Sequence, residues 1–177
     1  SFFRNESLAG KTNNVEAEFI HVTHSVPDTA AIALHSPEGT ALYMTDYKFD
    51  EHPTKGKKSD TEALEKLKNV DVLITDALYA HKEDKVPSEN YVRSLLFNLL
   101  TPEKTEGKII VATTFASHIY RLMSLVEIAK KLGRKPMFLG RSLSKYSEAA
   151  EKKRMARFSQ QAEIVRFGGK VQSALNK

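Results

Sequence analysis

The sequence predicts a mixed α/β chain in two parts, a β-sheet region followed by a parallel α/β region. Three observations carry this. The first 50 residues hold short apolar runs joined by turns, with no helical period. From about residue 70 onward, short apolar runs alternate with stretches of 3.6-residue period, the pattern of a parallel sheet with helices on its faces. Between them, DEHPTKGKKSD is polar and holds Pro and Gly, so the boundary is expected within 50–85.

Each element follows from local chemistry. Val15 to Val22 partly alternates and reads as a strand. Ala31 to Leu34 and Ala41 to Thr45 read as two more, joined by a turn at Pro37-Glu38-Gly39. Ser59-Asp60-Thr61-Glu62 has capping-box spacing and opens a short helix with Leu64 and Leu67 inward. Val70 to Thr75 is a short apolar strand. Ser88 opens a helix in which Tyr91, Val92, Leu95, Leu96 and Leu99 recur at helical spacing, and Thr101-Pro102 ends it. Ile109 to Ala112 reads as a buried strand. The next helix carries Ile119, Leu122, Met123, Val126 and Ala129, with Lys130 and Lys131 in its last turn and Gly133 beyond. Met137 to Leu139 is a further strand, followed by a helix through about Arg157.

Composition excludes several classes. Hydrophobic residues at 41% and charged residues at 28% are ordinary globular values, against disorder. A chain of 177 residues can bury roughly 70% of its unfolded surface, enough for a sizeable core. No apolar run approaches the ~20 residues of a membrane-spanning helix, and SFFRNES has no signal-peptide core. With no Cys, disulfides, thiolate metal sites and Cys nucleophiles are out; a reducing cytoplasm fits. No Walker loop, GxGxxG or G-x-S-x-G elbow occurs. The net charge of +5 is uneven. Residues 130–170 hold twelve Lys and Arg against three Glu, a net +9, and the first 129 residues are net acidic. A basic end can draw phosphate backbones by counterion release, although solvated helix faces account for such runs equally well.

Candidate functional residues fall into two groups. In HVTHSVPD, His24 follows a strand, where its imidazole could ligate a divalent metal. Asp46 ends the third strand in YMTDYKFD and could offer a hard oxygen. His52 and His81 lie in polar loops, and His35 is expected to face away from His24. One His and one Asp cannot build a catalytic zinc site, which needs about three protein ligands. In IIVATTFASHIYR, an apolar strand runs into a helix start near Ser117, with Arg121 one turn on. Backbone N–H groups there could hold a phosphate, and ordinary N-capping is the plainer alternative.

VTHSVPD, then TDYKFD with its Asp 22 positions after the His, then ATTFASHIYR, then GRKPMFLGRSLSKY resemble ribonuclease J of the metallo-β-lactamase/β-CASP nucleases, the archaeal branch above all. The resemblance runs from about Ala17 to the end. It implies that residues 1–80 are the back part of a metallo-β-lactamase domain and 81–177 the first part of a β-CASP domain. It implies zinc-dependent hydrolysis of RNA phosphodiesters, with two zinc ions in the family, His24 as a zinc ligand and Asp46 bridging both. Asp76, in ITDALY, would support a ligand His from the second shell, although the Ser-Thr that usually follows is Ala77-Leu78 here. Ser117 and Arg121 fall on the turn that faces RNA in the family.

The family's His-x-His-x-Asp-His cluster and its two later His motifs are not in this sequence. No catalytic set is therefore complete in the chain, and the first residue is not Met. The expectation is a fragment, or a subunit completed by a second chain that supplies the missing ligands, without nuclease activity alone. A non-catalytic RNA-binding or assembly module is the alternative. A half sheet would also expose apolar surface, so a homodimer or partner covering residues 15–45 is expected.

Overall fold

The computed structural model describes residues 14–166, so Lys170 of the basic segment lies outside the described residues. The fold is mixed α/β. The chain divides into two compact units between Asn90 and Tyr91.

The first unit is built on a four-stranded sheet in the order β1-β2-β3-β4. The strands are β1 (Glu16–His21), β2 (Ala30–Ser36), β3 (Gly39–Tyr43) and β4 (Val72–Ile74). β2 runs antiparallel to both neighbours, with Phe19 and Tyr43 opposite Ile32. β4 lies parallel to β3, Tyr43 beside Ile74. β1, β3 and β4 therefore all point one way. Strand alternation sends Ile20, Val22, Ala31, Ala33, Leu42 and Met44 to one buried face. Helix α1 (Thr61–Lys66) covers that face, and Ala63, Leu64, Leu67 and Val70 pack on it. The apolar residues of 15–45 on this face are thus already covered within the unit.

Two local details set this arrangement. The cap of α1 is Asp60, whose carboxylate accepts the N–H of Ala63 at 3.0 Å. Ser59, the expected capping residue, instead accepts the N–H of Thr23 at 2.9 Å. Gly39 has φ +149°, and a Cβ there would lie 2.5 Å from the Asp71 carboxylate. That carboxylate accepts the N–H of Thr40 at 2.8 Å, which fixes where β4 starts beside β3. Only glycine leaves room for it.

Helix α2 (Glu89–Leu99) carries the chain into the second unit, followed by α3 (Pro102–Thr105) and α4 (Ile119–Lys131). Then come β5 (Met137–Leu139), α5 (Arg141–Lys152), α6 (Phe158–Gln161) and β6 (Glu163–Val165). β5 and β6 are parallel, with Phe138 beside Ile164. Ile119, Leu122 and Val126 of α4 meet Phe138, Ala150, Phe158 and Ala162 in one core. The rings of Phe138 and Phe158 touch edge to face, 5.3 Å between centroids. Gly133 takes φ +66° after α4 and its N–H reaches the carbonyl of Lys130 at 3.0 Å, the left-handed stop its sequence position predicts.

Two expectations are corrected. Residues 109–112 are not a buried strand: Ile109 is 87% and Val111 89% exposed, and no strand pairs with them among the described residues. An apolar run is a strand only where a neighbour supplies hydrogen bonds, and none does so here. The helix expected through Arg157 stops at Lys152. Arg154 turns left-handed at φ 56°, its N–H on the carbonyl of Glu151, which lets Met155 fold back onto the core. The extra strand β6 follows.

Phe158 is 1% exposed, so Phe158→Ala should cost about 3–5 kcal/mol in denaturant unfolding. Ser147 is fully buried and its hydroxyl has no hydrogen-bond partner among the described residues. Ser147→Ala should leave stability unchanged or raise it, because an unpaired buried hydroxyl is removed. A loss above about 1 kcal/mol in the same assay would contradict the second expectation.

Candidate functional site

Because β1, β3 and β4 run in one direction, the chain leaves all three at the same end of the sheet. His24 follows β1, Asp46 follows β3 and Asp76 follows β4. The topology thus brings the three sequence-predicted residues of the first unit to one sheet end.

Thr23 ties these exits together. Its carbonyl accepts the N–H of Lys48 at 2.7 Å. Its hydroxyl donates to the carbonyl of Lys48 and accepts the N–H of Asp50 at 2.9 Å. Its own N–H goes to Ser59. The β4 exit joins the same edge. Met44 donates its N–H to the carbonyl of Ile74 at 2.9 Å, and Thr75 donates its hydroxyl to Tyr47 Oη at 3.3 Å. Between buried Met44 and exposed Asp46, Thr45 sits at φ 53°. A β-branched residue in the left-handed region is strained by about 1–3 kcal/mol, and such strain concentrates where a chain must present a side chain in one direction.

The individual side chains differ. His24 is half-buried, with Nε2 3.2 Å from the Ser25 hydroxyl. Asp46 is exposed. Asp76 is exposed, and its carboxylate accepts the N–H of Leu78 at 2.9 Å, a local turn. His35, expected to face elsewhere, lies 3.1 Å from Glu18 at the other end of β2. Imidazole and carboxylate are donors that zinc accepts. Among the described residues, however, no group of three or more His, Asp or Glu is arranged to hold a metal ion. The donor types fit zinc; their number does not complete a site.

Asp50 was missed in the sequence. It is 6% exposed, accepts the N–H of His52 at 2.9 Å and that of Glu89 at 2.7 Å, and lies 3.5 Å from Lys48 Nζ. A carboxylate on the first N–H of α2 is favoured by the helix dipole. Nothing in FDEH separates this Asp from the exposed Glu51 beside it, because the N–H of Glu89 that it accepts lies 39 residues on.

In the second unit, Ser117 and Arg121 flank the start of α4, both half-buried. The cap is His118, not Ser117: its Nδ1 accepts the N–H of Arg121 at 3.4 Å. Several of the basic residues are tied to neighbours and several are not. Arg134 donates to the carbonyls of Thr105 and Lys108, Lys135 pairs with Glu163, and Arg166 pairs with Glu148. Arg141, Lys145, Lys152, Arg154 and Arg157 are exposed and make no ion pair among the described residues. The Arg166 hydrogen bond, then that of Ser144, hold the Glu148 carboxyl below its ordinary value.

Residues 106–167 match the family model described as Ribonuclease J, beta-CASP domain. Ribonuclease J from Pyrococcus abyssi is 42% identical over 142 residues, 79% of this chain and 32% of that protein. Ribonuclease J from Methanocaldococcus jannaschii is 36% identical over 166 residues, 93% of this chain and 37% of that protein. The chain therefore spans about a third of the length of these relatives. Among solved structures, a protein of unknown function from Enterococcus faecalis V583 superposes with a TM-score of 0.59 at 14% identity, over 93% of this chain and 40% of that one. That likeness shows the fold. The likeness to ribonuclease J carried by the motifs is borne out, as is the mixed α/β class.

Thr23→Val keeps the shape of this buried residue and removes its hydroxyl bonds to Lys48 and Asp50. It should cost about 1–3 kcal/mol in denaturant unfolding; an unchanged midpoint would show that the hydroxyl ties nothing. Glu148 is depressed below 4.5 in the folded chain. Its contribution is therefore fully present above that value and fades as pH falls through the lower folded one. An acid titration of stability should show this fading in wild type and less of it in Glu148→Gln.

Proposed function

We propose that this chain is part of a metal-dependent ribonuclease of the ribonuclease J type, acting on RNA phosphodiesters in the cytoplasm. One observation carries the reading. His24 and Asp46, the residues that match the family's ligand positions, leave parallel strands at the same sheet end, tied together through Thr23 and Lys48. In this reading His24 and Asp46 would hold zinc, and Asp76 would steady the ligands. Bound zinc would activate a water and offset the charge that develops on the phosphate. The chain's own residues would then orient the site. Thr23 holds the His24 and Asp46 segments in register, and Thr45 turns the Asp46 carboxylate outward. Across the second unit, exposed Arg and Lys would hold the RNA backbone, with Ser117 and Arg121 beside it at the start of α4.

The 177-residue chain contains no His-x-His-x-Asp-His cluster, so the reading makes it inactive by itself. The remaining ligands would come from further polypeptide, on the same or a second chain. Purified alone with zinc, it should show no RNA cleavage above a metal-free control. Robust zinc-dependent cleavage would overturn this part of the proposal.

The exposed basic residues of the second unit favour a second reading, a non-catalytic RNA-binding module. Binding should weaken as salt rises, because neutralised phosphates release counterions. Exchanging Lys152, Lys153, Arg154 and Arg157 for Gln should weaken binding and flatten the salt slope. An unchanged slope would place RNA elsewhere.

A further inference from the structure

Helix α5 buries one side through Ser144, Ser147 and Ala150. At about 100° per residue, its opposite side carries Arg141, Lys145 and Lys152 within about 40° of one another. All three are exposed, and they form one ridge about 16 Å long. Two features separate this ridge from a solvated face of mixed charge. Arg141 and Lys145 stand four residues apart, where like charges repel, and Arg141 opens the helix, where the dipole disfavours a cation. Neither placement is accounted for by the helix itself. The acid beside the ridge is also occupied. Glu148 stands four residues before Lys152, the spacing of a helical ion pair. Its Oε1 instead accepts the Ser144 hydroxyl at 3.1 Å and the Arg166 guanidinium. Glu151 turns to the N–H of Ser159, at 2.6 Å. Past the end of the helix, exposed Arg154 and Arg157 continue the positive charge. Tyr146 flanks the ridge and is 44% exposed. On the wheel, Ser142 and Ala149 lie between them, both exposed, and their short side chains leave the ring approachable.

The geometry points to the outer face of α5 as a track for single-stranded RNA, with Arg141, Lys145 and Lys152 on the phosphates and Tyr146 stacked on an unpaired base. The inference rests on the reading of RNA as the ligand and places that RNA along one helix. Three features select this occupant. A line of cations matches a chain of phosphates, whose counterions are released on contact. An aromatic ring beside that line matches a base face, which a single strand exposes and a duplex hides. The major groove of an RNA duplex is too narrow for side chains to enter, so a ridge on a convex helix has no groove to fill. An anionic membrane fits poorly, because the ridge carries no large apolar side chains to insert beside its charges.

The test titrates the 177-residue chain with a short single-stranded RNA across a salt series, with no metal added. Arg141→Gln, Lys145→Gln and Lys152→Gln together should make the slope of log affinity against log salt shallower by about 2, at roughly 0.7 per phosphate. Lys55→Gln, Lys57→Gln and Lys58→Gln together remove the same charge from exposed positions of the first unit, and should change the slope by less than about 0.5. Tyr146→Ala should weaken binding about tenfold and leave the slope unchanged, while Tyr146→Phe should stay within about twofold of wild type. For a duplex of the same sequence, Tyr146→Ala should have no effect. Four results would overturn the inference: an unchanged slope for the α5 triple variant, an equal change from both triple variants, full affinity in Tyr146→Ala, or an equal loss of duplex binding in that variant. Salt-dependent binding that ignores every α5 substitution contradicts the track and keeps RNA as the ligand. A chain that binds no RNA at any salt contradicts the RNA reading itself.

Discussion

The bonds around Thr23 are the constraint on which the first unit depends. Strand direction brings His24, Asp46 and Asp76 to one end of the sheet, but direction alone leaves three loose exits. Thr23 links the first two with its carbonyl, hydroxyl and N–H at once, to Lys48, Asp50 and Ser59. Asp50, held there, reaches on to the first N–H of α2. One buried threonine thus connects the sheet end, the polar loop before α1 and the next helix. A neutral hydrogen bond contributes about 1 kcal/mol net, so its importance lies in how many segments meet at it.

The second unit depends on packing instead. Phe138 and Phe158 meet against the inner face of α4, and β6 closes beside β5. Polar ties finish the surface. Arg134 secures the turn after α3, and Arg166 joins Ser144 and Glu148 of α5. These ties occupy Arg134, Lys135 and Arg166, while Arg141, Lys145, Lys152, Arg154 and Arg157 are among the cations left exposed. The charge asymmetry of the sequence therefore survives folding on the surface of the second unit.

Much of this was legible from local chemistry. Alternation at Ile20 and Val22, the helical spacing from Ile119 to Val126, and Gly133 after Lys131 each specify one local structure, and each forms. The misses have a common cause. Ile109–Ala112 reads as a buried strand because its residue types suit one, yet pairing requires a neighbour that a local window cannot see. Ser59 has the right spacing to cap α1, but the N–H of Thr23 claims its hydroxyl across 36 residues. Asp50 escaped notice for the same reason. His24 and Asp46 are legible from their places at strand ends and Asp76 from motif resemblance, while their shared sheet end comes only with the topology.

The proposal turns on His24 and Asp46 holding a metal at this sheet end, with Asp76 in support. Paramagnetic broadening by cobalt(II) in amide spectra of the 177-residue chain tests it most directly. The account predicts that substoichiometric cobalt broadens the signals of His24, Asp46 and Asp76 together, and that His24→Ala abolishes the joint effect. Broadening of one without the others, or joint broadening that survives His24→Ala, would contradict it.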